Sequence, residues 1–208
     1  MPEPLANDQP EESLDDVMGV VLCGGRGSRL GGTDKASLVR GGRPLLDHAA
    51  DALAPCTVVV AVGDERPGPD HLVWTAETPR FGGPAAGLLA GVHAGRATLG
   101  HTPTWVAALA VDMPLVTPGT FRRLRAAVSQ DGAVLIDEAG RRQHLCAIYR
   151  ISTLLEHAPD DPSGMPLGRL LDGLDLATVA TRDSEARDVD IDSDLRQVGV
   201  DRPDADTQ

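Results

Sequence analysis

Residues 22–35 read Leu-Cys-Gly-Gly-Arg-Gly-Ser-Arg-Leu-Gly-Gly-Thr-Asp-Lys, a glycine-rich stretch directly behind an apolar run. Glycines at such a place let successive backbone N–H groups close around an anion, and phosphate is the anion that α/β proteins bind there. Three cations, Arg26, Arg29 and Lys35, fall within this stretch of a chain whose net charge is −12. Local positive charge inside an acidic protein suits a polyphosphate. Of the 19 basic residues, Lys35 is the single lysine. Its compact ammonium does work that a planar guanidinium does not. Two familiar phosphate loops do not fit. The dinucleotide fingerprint needs a glycine where Leu30 stands, and the Walker pattern, which opens correctly from Gly27, needs a lysine at Thr33. A solvated surface turn would not need glycines at 24, 25, 27 and 31 behind a buried strand. The residues point to a phosphate-binding loop of another type.

The stretch Leu22–Pro44, LCGGRGSRLGGTDKASLVRGGRP, resembles the signature of the nucleotidyltransferases. It is most similar to the molybdenum cofactor guanylyltransferases of the MobA type, whose signature runs LAGG-x-x-x-R-M-G-x-D-K. Cys23 replaces Ala, Leu30 replaces Met, and one residue is added between Gly31 and Asp34. Phe81–Gly87 (FGGPAAG) is similar to the family's G-P-L-A-G segment, and Asp112-Met113-Pro114 to its D-M-P. The acidic run Asp188–Leu195 resembles its C-terminal N/D-x-N/D-T-P-E-D-L element, with Ile191 and Asp192 in place of Thr-Pro.

The resemblance implies an Mg²⁺-dependent enzyme that moves GMP from GTP to molybdopterin with release of pyrophosphate. It implies three catalytic residues, Arg29, Lys35 and Asp112. Arg29 and Lys35 would hold the triphosphate and stabilise charge at the α-phosphoryl group. Asp112, just past a buried strand, would be the Mg²⁺ ligand, with Asp190 as the second and Asp188 as an alternative. An ion that takes one or two carboxylates plus substrate oxygens and water fits such a set. Nucleotide contacts would come from Leu22, Cys23, Gly24, Gly25, Arg26, Gly27, Lys35, Gly83 and Pro84. Gly25 in particular leaves room for a purine, where cytidylyl relatives carry alanine. Partners beyond GTP and molybdopterin would be molybdoenzymes or other proteins of cofactor biosynthesis. Arg142 and His144 would lie on the acceptor side or serve only the surface. No general base is needed, because a phosphate monoester is already ionised. Cys23 would fill space beside the loop and expose a thiol to alkylating agents. Two other readings stay open: a cytidylyl- or uridylyltransferase with another phosphorylated acceptor, and a nucleotide-binding adaptor without catalysis.

These residues need a scaffold. Val17–Cys23, Thr57–Val62, His71–Trp74 and Thr104–Val111 are apolar and read as strands, several of them buried on both faces. Helices are predicted over Pro44–Ala54, Pro84–Gly95, Thr117–Ser129, Pro166–Gly173 and Asp192–Val198. Ala133–Ile136 and His144–Tyr149 read as paired strands across a polar turn, and Ala177–Ala180 as a last strand. The alternation predicts a three-layer α/β/α, Rossmann-like domain with a mostly parallel sheet over residues 17–200, between acidic disordered tails at 1–16 and 201–208.

Composition narrows the partners. Acidic residues outnumber basic ones 31 to 19, against a nucleic-acid surface. Five aromatic residues cannot build a base-stacking groove for single strands. The longest apolar runs, seven residues at 17–23 and 105–111, fall far short of a bilayer span, which needs about 20. Three widely spaced cysteines match no zinc or disulfide pattern, and the first residues are acidic, unlike a secretion signal. A reduced, cytoplasmic protein is the expectation.

Overall fold

The computed structural model describes residues 13–23, 34–189 and 198–201. Seven strands form the main sheet: β1 (Val17–Leu22), β4 (Val59–Val62), β5 (Leu72–Thr75), β6 (Trp105–Ala110), β7 (Gly132–Ile136), β8 (Arg142–Arg150) and β9 (Leu176–Ala180). Their order is β5-β4-β1-β6-β8-β7-β9, and β8 alone runs against the others. Two-residue strands β2 (Val39–Arg40) and β3 (Arg43–Pro44) make a small second sheet with β10 (Val200–Asp201). Such short pairings lie below what hydrophobic periodicity can signal, and the sequence reading passes over them.

β1 explains why its sequence has no polar alternation. Val17 and Val21 face a core layer shared with α1 (Leu45–Leu53) and α3 (Pro118–Ala127), whereas Met18 and Val20 face the layer beneath α2 (Pro84–Leu99). A central strand covered on both faces must be apolar throughout. Helices α4 (Ile151–His157) and α5 (Leu167–Leu170) complete the α2 side. The helix starts follow the sequence closely, whereas α2 runs past the expected Gly95 to Leu99 and α5 covers only Leu167–Leu170 of the expected Pro166–Gly173. Pro84 opens α2, and Thr117 with Thr120 forms a capping box at the start of α3.

Three differences concern boundaries. Leu14, in the segment expected as a tail, is 2% exposed within the core, and Asp16 pairs with Arg125 at 2.9 Å. One apolar residue among acids leaves no periodic signal, yet it is enough to fix the chain to the sheet. At the other end Asp201 pairs with Val39 in the small sheet. Residues 1–12 and 202–208, and the expected helix Asp192–Val198 except for Val198, lie outside the described residues. α4 is the third: Ile151–His157 forms a helix that the sequence reading did not mark.

β1 has β4 on one side and β6 on the other, so the chain's path reverses there. In open α/β sheets the crevice at the carboxyl ends of the strands at such a reversal is where ligands bind. Leu22 and Cys23 end β1 at that place, and Asp112 follows β6.

Candidate active site

A crevice of about 710 Å³ opens at the carboxyl ends of these strands. Its walls include Leu22 and Cys23 at the end of β1, Val62–Arg66 at and beyond the end of β4, Ala110–Asp112 at and beyond the end of β6, and Gly83 and Pro84 at the start of α2. Lys35 and Asp112 meet inside it, Nζ to Oδ2 at 2.6 Å, with side chains 22% and 17% exposed. They are 77 positions apart in sequence, and the sheet order brings them together. Asp112 is held where β6 stops, and its carbonyl accepts Val189 N–H at 2.9 Å. That bond fastens Val189 beside Asp112. Asp188 is exposed beside it, and Asp190 lies outside the described residues.

Lys35 sits on a single 3-10 turn, Lys35–Ser37, and Asp34 caps it by accepting Ala36 N–H at 3.2 Å. The other carboxylate oxygen of Asp34 accepts from Arg66, whose guanidinium lies 5.9 Å from the centre of the Trp74 ring. The lysine's turn is thereby tethered to the segment after β4. Arg80 pairs with Asp64 nearby. Asp34 stands in the Asp-Lys of the signature without an assigned role; Asp64, Arg66 and Arg80 were missed because nothing in their local spacing marks them. They become site residues only when the β4–β5 and β5–α2 connections fold over the crevice. The two pairs neutralise two of the carboxylates on the crevice wall, which would otherwise repel a phosphate.

Gly83 has φ +90°, a conformation glycine reaches without strain, and it turns the chain into α2. The first turn of this 16-residue helix puts Gly83, Pro84 and Gly87 on the crevice wall, so the positive end of the helix dipole lies at the crevice. The structure thus brings together Leu22, Cys23, Lys35, Gly83, Pro84 and Asp112. Gly24, Gly25, Arg26, Gly27 and Arg29 lie outside the described residues. Arg142 and His144 do not line the crevice, although Leu145 does. The His144 Nδ1 is buried without a hydrogen-bond partner among the described residues, and burial, then the Arg142 charge, holds its pKa below the usual imidazole range.

The expected reactivity of Cys23 is corrected by its burial. Cys23 and Cys56 are both enclosed, and desolvation pushes each thiol up to about 12; Cys146 is shifted the same way. The nucleophile in alkylation is the thiolate, so burial removes both access and the reactive form. We expect no labelling of the native protein by a maleimide within minutes at about pH 7.5, and three labels after unfolding. Rapid labelling of Cys23 in the native state would contradict this packing. The same shifts carry a sign for stability. Unfolded thiols ionise from their ordinary value of 9.0 upward, while folded ones keep their protons to about 12. The unfolded state therefore binds fewer protons in that window, and stability falls as pH rises through it. A lower urea midpoint at about pH 10.5 than at about pH 8 is the expected result.

The pattern of the MobA-like NTP transferase domain matches residues 19–177. The chain is 35% identical over 133 residues to the molybdenum cofactor guanylyltransferase of Vibrio cholerae, covering 62% of this chain and 62% of that protein. It is 33% identical over 148 residues to the same enzyme of Pseudomonas entomophila, covering 67% and 74%. A nucleotidyl transferase from Methanothermobacter has the same fold, with a TM-score of 0.68 at 22% identity over 88% of this chain and 95% of that one. By the domain pattern and these relatives, the chain belongs to the MobA-like NTP transferase family.

Proposed function

We propose that the chain transfers GMP from GTP to molybdopterin with release of pyrophosphate. The observation that carries this reading is the Lys35–Asp112 pair at the crevice where the sheet reverses. A lysine, a carboxylate and a helix N-terminus around one cavity are the parts that phosphoryl chemistry uses, since it demands positioning and charge stabilisation rather than a protein nucleophile. A phosphate oxygen of the acceptor forms a bond to the α-phosphorus of GTP. The bond from that phosphorus to the β-phosphate bridge oxygen breaks, and its electron pair leaves with pyrophosphate. Lys35 places a fixed positive charge against the phosphate oxygens as negative charge shifts towards the leaving group. Asp34 and Arg66 hold the turn that aims it. The positive end of the α2 dipole lies on the side of the same anion.

The donor set also fits Mg²⁺. Asp112 supplies a hard carboxylate at the edge of a crevice with room for water and phosphate oxygens, which is how this ion is held. An Mg²⁺ ion held there would supply positive charge that offsets the charge of the phosphates. Asp112 would hold it, with Asp190 the second candidate from the sequence.

The test is an assay with GTP, Mg²⁺ and molybdopterin that follows both pyrophosphate and the dinucleotide product. GTP is expected to support turnover, CTP, ATP and UTP to fail, and chelation to abolish it. Thermal unfolding with the same nucleotides checks binding alone, because a ligand of the native state raises stability by mass action. Product with CTP instead of GTP would move the reading to a cytidylyl transfer. Nucleotide binding without turnover would favour the adaptor.

A further inference from the structure

Only five aromatic residues occur in 208. Phe121 and Tyr149 are fully enclosed and Trp105 is buried, while Trp74 packs partly buried against the core. Phe81 is 61% exposed, and it is the one exposed large hydrophobic side chain among the described residues. It lines the crevice near the start of α2. Its backbone has φ +62°, a region that a bulky side chain seldom enters and that glycine or asparagine occupies at less cost.

The segment around it is fastened rather than loose. The Glu77 carboxylate accepts Phe81 N–H at 3.0 Å, and the Gly82 carbonyl accepts Gly164 N–H at 2.7 Å. A Cβ at Gly82 would stand 3.0 Å from Ala86 Cβ and 3.1 Å from the Pro79 carbonyl oxygen, so the backbone has little room to relax. Backbone strain that the surroundings maintain concentrates at ligand clamps and active sites. A ring carried on a fastened backbone offers a flat apolar face with less entropy to lose on binding. A single exposed apolar residue alone would mean nothing. The same residue strained, fastened and set on the wall of the crevice is a different matter.

We infer that Phe81 is the stacking surface for a flat heteroaromatic ring bound in the crevice. The inference rests on the proposed function, and it names the chemistry that the crevice takes beyond phosphate. Guanine and the pterin of the acceptor are both flat fused rings with that chemistry, and binding assays on each separate them.

Calorimetric titration of GTP, molybdopterin and inorganic tripolyphosphate into the wild type, Phe81→Asn and Phe81→Tyr tests it. Asparagine suits the left-handed backbone, so Phe81→Asn keeps or raises Tm. The same substitution weakens binding of the ring-bearing ligand about tenfold, within the range that base–aromatic stacking supplies. Tripolyphosphate, which has no ring, binds both proteins alike, and Phe81→Tyr retains wild-type affinity. Loss confined to GTP assigns the base, and loss confined to molybdopterin assigns the pterin. The inference is overturned if Phe81→Asn binds both within about twofold of wild type, or if tripolyphosphate weakens in step with them. A lowered Tm would also overturn it, showing a structural role. Should the wild type bind neither GTP nor molybdopterin, the proposed function falls and this inference falls with it; wild-type binding that survives Phe81→Asn removes this inference alone.

Discussion

Lys35→Ala lowers turnover by about 10²–10³-fold, the usual loss when one preorganised charge-stabilising donor is removed. The ammonium lies 2.6 Å from Asp112 in a partly enclosed crevice, on a turn that Asp34 caps and Arg66 tethers. Its position is set before any ligand arrives, which is what the proposed chemistry asks of a charge-stabilising group. In the proposed reaction the interaction would grow as charge moves towards pyrophosphate, so kcat and kcat/KM should fall together. Lys35→Arg does not restore the rate, because a planar fork cannot take the place of a point charge on so short a turn. Asp112→Asn keeps the shape, removes the carboxylate charge and produces a loss of similar order. The double variant is expected to be little worse than either single one, since the two residues act as a unit. Stability changes little, by less than about 1 kcal/mol, because the pair is not fully desolvated. Single-turnover pyrophosphate release alongside thermal unfolding checks both halves. A folded Lys35→Ala protein that kept more than about a tenth of wild-type turnover would remove Lys35 from the chemistry.

Lys35 and Asp112 were legible in the sequence for different reasons. Lys35 stood out as one lysine among 19 basic residues, inside a glycine-rich stretch behind a buried strand. Asp112 stood out because an acid follows an apolar run, and such a run ends at the carboxyl edge of a parallel sheet. The central strands were legible because burial on both faces leaves an uninterrupted apolar run. Arg66 could not be found this way. Its partners, Asp34 and Trp74, meet it through tertiary folding, and an arginine in a polar loop looks the same whether solvated or tethered. The place of β8 between β6 and β7 was hidden for a similar reason. Pairing of β7 and β8 across a polar turn is a local matter, but the contact of β8 with β6 is long-range and depends on the whole sheet. Leu14 and the two-residue strands show the lower limit, where one or two residues settle a contact without generating any period.

Glycine in the middle of α2 supplies the largest expected effect on stability. In an exposed helix, Gly→Ala gains about 1 kcal/mol. At Gly91 the sign reverses. A Cβ there would stand 2.5 Å from Val20 Cγ1, 2.9 Å from Val20 Cγ2 and 3.1 Å from Val62 Cγ2. Both valines belong to the sheet, and their branched side chains have little freedom to turn away. Gly91→Ala therefore overpacks the layer and costs about 2 kcal/mol net, within the usual range for an added methyl in a filled core. For a chain of this size that is a fall in Tm of roughly 4–8 °C. Gly91→Leu costs more than about 4 kcal/mol. Gly95 makes a graded comparison: its Cβ would meet Met18 Cε at 2.0 Å, but that atom is the far end of a flexible side chain. Gly168 in α5 has no neighbour within 4 Å, so alanine there is neutral or stabilising. The expected order of Tm is Gly168→Ala, then Gly95→Ala, then Gly91→Ala. The close approach also serves the site. The same helix begins at the crevice with Pro84, and a Cβ at Gly87 would stand 3.2 Å from Leu22 Cδ2 on the opposite wall. Lifting α2 from the sheet shifts the helix N-terminus relative to Lys35, so Gly91→Ala should raise the KM for nucleotide as well as lower Tm. A Gly91→Ala protein more stable than wild type would show that the glycines are not what lets α2 sit on β1.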